Sequence, residues 1–242
     1  MIIFTFLLGC IFGSFYNVVI YRLPINQSII FPNSYCPNCK SSIPFYINIP
    51  ILSFIFLNGK CYSCKIKISN IYPITELLTG LLWAFSFYNY SLEESIIFCL
   101  NTGILTCVSF IDFKTMKIPL SLLYLLLLVQ IYVIVSNETY FHSLSGAISG
   151  AGFLSFNYLV TLFVFKKHGM GLGDIIILFI LGLWLGPILI LFSIFLSALI
   201  MLIVFLFFSI RRKTTYQKAL PFVPSISVSV VLIKIISSFF IF

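Results

Sequence analysis

Three features of the chain predict an all-α fold, a polytopic transmembrane helical bundle. Of its 242 residues 61% are hydrophobic and only 8% charged, where soluble domains carry about 25% charged residues. Mean hydropathy is +1.15. The apolar stretches run on continuously for roughly 20 residues, the length that crosses a bilayer, and do not alternate as membrane strands do. Such a composition excludes a soluble globular enzyme and a disordered tail. The net charge of +8 does not point to nucleic acid as a partner, because long apolar runs separate the charges. The lipid bilayer is the partner that the chain demands.

About eight spans are expected, over 2–21, 73–90, 95–111, 118–136, 142–165, 174–186, 188–208 and 220–242. The first should be retained, since Met1-Ile2-Ile3-Phe4 has no basic flank and no A-x-A cleavage site follows. The sixth is short and stops at Gly186-Pro187, as a tilted or partly re-entrant segment would. Thirteen of the 14 basic residues fall in alternate loops. Arg22, Lys40, Lys60, Lys65 and Lys67 follow the first span; Lys114 and Lys117 follow the third. Lys166 and Lys167 follow the fifth, and Arg211, Arg212, Lys213 and Lys218 the seventh. The opposite loops hold Glu93, Glu94 and Glu138 and no Lys or Arg. Basic loops stay in the cytoplasm, so both chain ends are expected outside and residues 22–72 inside. Gly9/Gly13, Gly146/Gly150 and Gly182/Gly186 are small residues four apart, the spacing of close helix packing.

The stretch 22–72 is the one extended polar segment, and it carries Cys36-Pro-Asn-Cys39 and Cys61-Tyr-Ser-Cys64. Two C-x-x-C knuckles at this separation predict a tetrathiolate zinc site formed by Cys36, Cys39, Cys61 and Cys64. Four thiolates close the shell, so the ion would be structural. Two disulfides or free thiols are the alternatives; a cytosolic location disfavours the former. Cys10, Cys99 and Cys107 lie in apolar runs and read as small core residues.

Just two aspartates occur, Asp112 at the end of the third span and Asp174 at the start of the sixth. Both are expected at the cytoplasmic boundary of the membrane, where an acidic residue is a functional candidate. Two carboxyls brought together share a proton: the ionised member activates water and the protonated one polarises a peptide carbonyl. Gly171 and Gly173 beside Asp174 allow close backbone approach, suited to an extended substrate strand. The alternatives are an N-cap at Asp174 and a surface pairing of Asp112 with Lys114 or Lys117. The glycine run lacks the preceding strand of a nucleotide-binding loop. With His142 and His168 on opposite sides, a Ser/His or Cys/His apparatus is not expected, and no H-E-x-x-H occurs. Glu76, at the start of the second span, is either a cap or dipole partner or a substrate contact.

Taken in order, these residues resemble the type IV prepilin peptidases, membrane aspartic proteases with a Gly-x-Gly-Asp motif. The likeness runs through Phe12-Gly-Ser-Phe-Tyr-Asn-Val-Val-Ile-Tyr-Arg-Leu-Pro24, the two cysteine knuckles, Asn48-Ile-Pro-Ile-Leu-Ser53 and Tyr72-Pro-Ile-Thr-Glu76. It continues with Asp112, Ile118-Pro119, Gly171-Leu-Gly-Asp174 and Leu181-Gly-Leu-Trp-Leu-Gly186. Pro221-Phe-Val-Pro224 is similar to the family's Pro-Phe-Gly-Pro, with Val223 in place of a glycine. Ile176, Leu120 and Ile71 also depart from the family's usual residues.

The resemblance implies an endopeptidase that removes the leader of type IV prepilin-like precursors at the cytoplasmic face of a bacterial inner membrane. It implies Asp112 and Asp174 as the catalytic pair and Cys36, Cys39, Cys61 and Cys64 as the zinc-type cysteines; Gly171, Gly173 and Glu76 are expected, from their own positions, to support substrate. It also implies methylation of the new N-terminus with S-adenosylmethionine, although no cofactor-binding signature is read here. The expected division is a first helix at 1–21, a cytoplasmic zinc domain at 22–72 and a seven-helix peptidase domain at 73–242. A proton-coupled transporter or an assembly scaffold with a structural zinc domain is the rival; its aspartates should lie mid-membrane along a through-pathway.

Overall fold

The computed structural model describes residues 1–166, 171–212 and 220–240. Lys167, His168, Lys213 and Lys218 therefore lie outside the described residues. The described chain is helical, without a β-strand; Tyr35 with Ser42 and Lys60 with Lys67 form isolated bridges. The long helices are α1 (Ile2–Arg22), α3 (Ile71–Asn89), α4 (Leu92–Thr115), α5 (Leu120–Asn137), α6 (Tyr140–Phe165), α7 (Leu172–Arg212) and α8 (Val223–Phe240), with a short α2 (Leu52–Phe56). Among the described residues five helical stretches are long and apolar enough to cross a membrane: Ile2–Ile25, Leu92–Thr115, Leu120–Asn137, Tyr140–Val164 and Leu172–Phe207. The protein is an all-helical membrane protein, as its composition predicts. It divides inside α4 into two compact units, Met1–Cys107 and Val108–Phe242.

In the first unit, α1 and α3 lie antiparallel and very close. A Cβ built on Gly9 would stand 2.8 Å from Gly80 Cα, and one on Gly13 would stand 2.7 Å from Glu76 Cα. One turn further along, Asn17 Nδ2 donates to the Tyr72 carbonyl at 3.1 Å, and Thr75 Oγ1 donates to Asn17 Oδ1 at 2.7 Å. Removing side chains from the seam lets backbones meet, and buried amide and hydroxyl groups then pair across it. Beyond α1 the loop is anchored by Arg22, buried at 4% exposure. Its guanidinium donates to the carbonyls of Ser28 at 3.1 Å and Asn33 at 3.2 Å, and lies 5.3 Å from the Tyr35 ring centroid.

In the second unit, α6 packs on α7, and α7 is not one straight rod. Gly186 leaves helical geometry at φ 76° and ψ 177°, and Pro187 follows it. A Cβ on Gly150 would meet Leu178 O at 3.0 Å and Ile190 Cγ1 at 2.9 Å. An unbroken helix would hold residues twelve apart about 18 Å from each other, so the chain turns back between them. A Cβ on Gly146 would strike the Gly182 carbonyl and lie 2.6 Å from Gly186 Cα. The arm before Gly186 thus runs antiparallel to α6, and the arm after it runs parallel. His142, in the first turn of α6, packs against Gly186 itself. All three glycine pairs predicted to allow close approach do so.

Gly146→Ala should lower the thermal unfolding temperature of the purified protein, because overpacking of this kind costs about 1–3 kcal/mol. Gly152, where a Cβ would meet nothing within 4 Å, is the control. Gly152→Ala should leave the temperature unchanged or raise it slightly, since alanine is the better helix former by about 1 kcal/mol. Equal responses would show that the α6–α7 contact does not depend on the missing side chain at Gly146.

Candidate active site and metal centre

The first unit brings the four predicted cysteines together. The Sγ atoms of Cys36, Cys39, Cys61 and Cys64 all lie within 4.8 Å of one another, and Cys36 and Cys64 are 4.0 Å apart. The two knuckles repeat one local design. In each, the residue after the second cysteine takes a left-handed conformation, Lys40 at φ 58° and Lys65 at φ 58°. Lys40 N–H donates to the Cys36 carbonyl at 2.9 Å and Lys65 N–H to that of Cys61 at 3.0 Å. Each turn is closed by a further bond, Cys36 N–H to Ser41 O at 3.0 Å and Cys61 N–H to Ile66 O at 2.8 Å. Such turns aim both sulfurs of a knuckle at one point. Hydrogen bonds to the Ser41 hydroxyl and then to its backbone hold the Cys39 thiol down at about 6. Burial pushes Cys36 up to about 11. The cluster can hold a metal ion. Cys10, Cys99 and Cys107 are buried singly, as expected of core residues.

Glu76 faces the same loop. It is 7% exposed, and its Oε2 accepts the Ile51 N–H at 2.7 Å. Ile51 sits at φ 62° and ψ −52°, with Leu52 N–H bonded to the Pro50 carbonyl at 2.6 Å. This is a γ-turn of the rare positive-φ kind, unusual for a β-branched residue. Glu76 holds the turn in place. Neither the anchoring by Arg22 nor the turn at Ile51 was visible in the sequence. Arg22 counted there only as a topogenic charge, and the motif Asn48-Ile-Pro-Ile-Leu-Ser53 showed no conformation.

The second unit contains both aspartates. Asp112 lies in the last turn of α4, which runs on to Thr115, and Asp174 is the third residue of α7. They are 6% and 9% exposed, and the charge of Asp174 acts on Asp112. Asp174 is not an N-cap. It stands at the third helical position, and its Oδ2 accepts the Gly171 N–H at 3.3 Å, the backward half of a capping box. No pairing of Asp112 with Lys114 or Lys117 is seen among the described residues. Asp112 Oδ2 is buried and has no hydrogen-bond partner among them. Gly173 lies against Ile118, where a Cβ would stand 2.7 Å from Ile118 Cδ1. Gly171 is exposed at the mouth of α7. The arrangement offers two buried carboxyls, with Asp174 near enough for its charge to act on Asp112, beside a glycine-bordered helix start.

Fold and site define a polytopic helical membrane protein with paired aspartates and a separate four-cysteine cluster. Residues 7–90 match the bacterial peptidase A24 N-terminal domain, and residues 99–206 match the type IV leader peptidase family. A prepilin leader peptidase/N-methyltransferase of Pseudomonas aeruginosa is 33% identical over 257 residues, covering 93% of this chain and 87% of that protein. One of Bacillus subtilis is 33% identical over 238 residues, covering 96% and 93%. One of Myxococcus xanthus is 36% identical over 188 residues, covering 74% of this chain and 55% of that protein. No solved structure matches. The chain belongs to the type IV leader peptidase family.

Glu76→Ala removes the acceptor of the Ile51 N–H. A lost bond of this kind costs about 1–3 kcal/mol. Backbone amide exchange across 49–56, followed by mass spectrometry, should accelerate on the order of tenfold or more. Unchanged exchange would show that the turn stands without the carboxylate.

Proposed function

We propose that this chain is a prepilin leader peptidase and N-methyltransferase of a bacterial inner membrane, with Asp112 and Asp174 as its catalytic pair. One observation carries the assignment: the two aspartates of the chain, far apart in sequence, are both buried and interact electrostatically. The names of the relatives from Pseudomonas aeruginosa and Bacillus subtilis support the two activities. The substrates are then prepilin or pseudopilin precursors.

Hydrolysis by such a pair needs no metal. A water between the carboxyls gives a proton to the ionised aspartate as its oxygen attacks the scissile carbonyl carbon. The protonated aspartate donates to the carbonyl oxygen, whose double bond becomes a single bond. Collapse of the tetrahedral intermediate breaks the C–N bond: the amine departs with the proton from the base, and as the C=O re-forms one hydroxyl returns its proton to the other aspartate, restoring the singly protonated pair. Gly171 and Gly173 offer backbone to an extended substrate beside this centre. Glu76 serves indirectly, by fixing the loop turn at Ile51.

The four cysteines fit zinc. Tetrahedral Zn–S bonds of about 2.3 Å place sulfurs roughly 3.8 Å apart, close to the 4.0 Å between Cys36 and Cys64. Bound there, zinc would knit residues 22–72 into a structural module. S-adenosylmethionine is the methyl donor of the second activity; no residue is assigned to it.

The topology follows from the charge pattern: eight spans, both chain ends outside, and the cysteine loop in the cytoplasm. The reversal at Gly186 supports the count, because it splits α7 into two arms and thereby the long helices into eight segments. The chain is divided accordingly into 1–21, 22–72 and the peptidase portion 73–242.

Asp112→Asn and Asp174→Asn should each abolish leader cleavage of a co-expressed prepilin while the protein still inserts, because asparagine keeps the shape but cannot act as the base or share the proton. Mass spectrometry of the pilin reads both leader loss and methylation; normal processing by either variant would sink the assignment. Metal analysis should find one zinc per chain, lost in Cys36→Ser, since metal binding in so small a module is folding energy. Methylation should fall more than cleavage in that variant. Metal loss with methylation untouched would show that the module does not serve the transferase.

A further inference from the structure

Inside the loop at 22–72 lies a run of side chains that water does not suit. Between Lys40 and Lys60 there is no charged residue, and eleven of the fifteen residues 43–57 are Ile, Leu, Phe or Tyr. Such a run is shorter than the roughly 20 residues of a span and has the length that packs as a core or dips into one leaflet. A core is excluded. None of residues 43–57 is buried, and Phe45 and Phe56 stand 88% and 81% exposed.

The two ends of the run meet. Cys39 and Cys61, the neighbours of Lys40 and Lys60, both belong to the sulfur cluster, whose Sγ atoms lie within 4.8 Å of one another. The chain therefore leaves and returns at one point, the path of a re-entrant segment. Its middle runs beside α1, not beyond it. Glu76, which accepts the Ile51 N–H at 2.7 Å, sets its Cα against Gly13, nine residues before α1 ends at Arg22. Nine helical residues measure about 13.5 Å, more than an extended glutamate side chain can bridge. Ile51 thus lies level with Ile2–Ile25, a stretch long and apolar enough to cross a membrane.

The backbone of the run also suits hydrocarbon, where unpaired polar groups are costly. Pro44 and Pro50 have no N–H. Ile47, Asn48, Ser53, Ile55, Leu57 and Asn58 donate to carbonyls within the run at 3.0–3.1 Å, and Ile51 donates to Glu76.

Given α1 as a membrane span, as in the topology proposed above, we propose that residues 43–57 are a re-entrant membrane segment. Phe45, Leu52, Ile55 and Phe56 lie among the acyl chains of the leaflet at the Arg22 end of α1, and the exposed Lys40 and Lys60 lie on its phosphates. Basic side chains flanking an apolar element suit anionic headgroups. The sulfur cluster then sits at the bilayer surface and closes the base of the segment.

The test uses purified full-length protein in nanodiscs of phosphatidylcholine and phosphatidylglycerol, with a genetically encoded fluorescent amino acid in place of Phe45 or Phe56. Both side chains are exposed, so the label displaces no packing. Leu7, exposed on α1, and Tyr62, exposed in the second knuckle, are labelled as references. Lipids brominated on their acyl chains should quench the labels at 45 and 56 to within about twofold of the label at 7, while aqueous iodide should quench the label at 62 roughly fivefold more than either. Iodide quenching at 45 and 56 as strong as at 62 overturns the proposal, because the run then faces water. Shielding from both quenchers overturns it too, because protein then covers the run. A label at 7 that acyl bromine does not quench sinks the membrane placement of α1 and the segment with it. A quenched label at 7 beside unquenched labels at 45 and 56 sinks the re-entrant segment alone.

Discussion

Hydrocarbon offers no hydrogen bonds, so every backbone N–H and C=O that enters it must find a partner within the chain. Helices satisfy all but their ends, and the candidate site lies at such ends. Asp112 closes α4, and Asp174 opens α7. At the start of α7 the Asp174 carboxylate takes up the orphan N–H of Gly171 at 3.3 Å. The same constraint explains the buried hydroxyls inside the helices. Thr79, Thr102 and Thr106 return their protons to carbonyls four residues back at 2.7, 2.8 and 2.7 Å.

Because lipid is as apolar as leucine, burial of apolar surface cannot hold such helices together. Close approach does so instead, and glycine permits it. Gly9 and Gly13 bring α1 against α3, while Gly146 and Gly150 receive both arms of α7. The turn at Gly186 depends on the same economy of atoms: a left-handed φ that glycine adopts readily, followed by a proline that cannot continue the ladder. Bringing the arms back along α6 is a matter of van der Waals fit, not of hydrophobic burial.

The loop at 22–72 has the opposite difficulty. It is too small to bury a core, and it is held by discrete ties: the sulfur cluster, Arg22 on the carbonyls of Ser28 and Asn33, and Glu76 on the strained turn at Ile51. Each tie pairs a group that would be costly to bury alone with donors or acceptors of the backbone.

Much of this was legible in the amino-acid sequence. Continuous apolar runs determine helices, because the bilayer admits little else. The alternation of Lys and Arg among the loops determines which ends are expected to face the cytoplasm. Two C-x-x-C knuckles place four sulfurs on two tight turns, and a single pair of aspartates in a chain so poor in charge marks the candidate site. All of these are local signals, carried by composition or by spacing of a few residues. The tertiary structure decided what depends on distant groups meeting. Asp174 is a third-position residue bonded to Gly171 rather than a cap, and Arg22 is an anchor rather than only a charge.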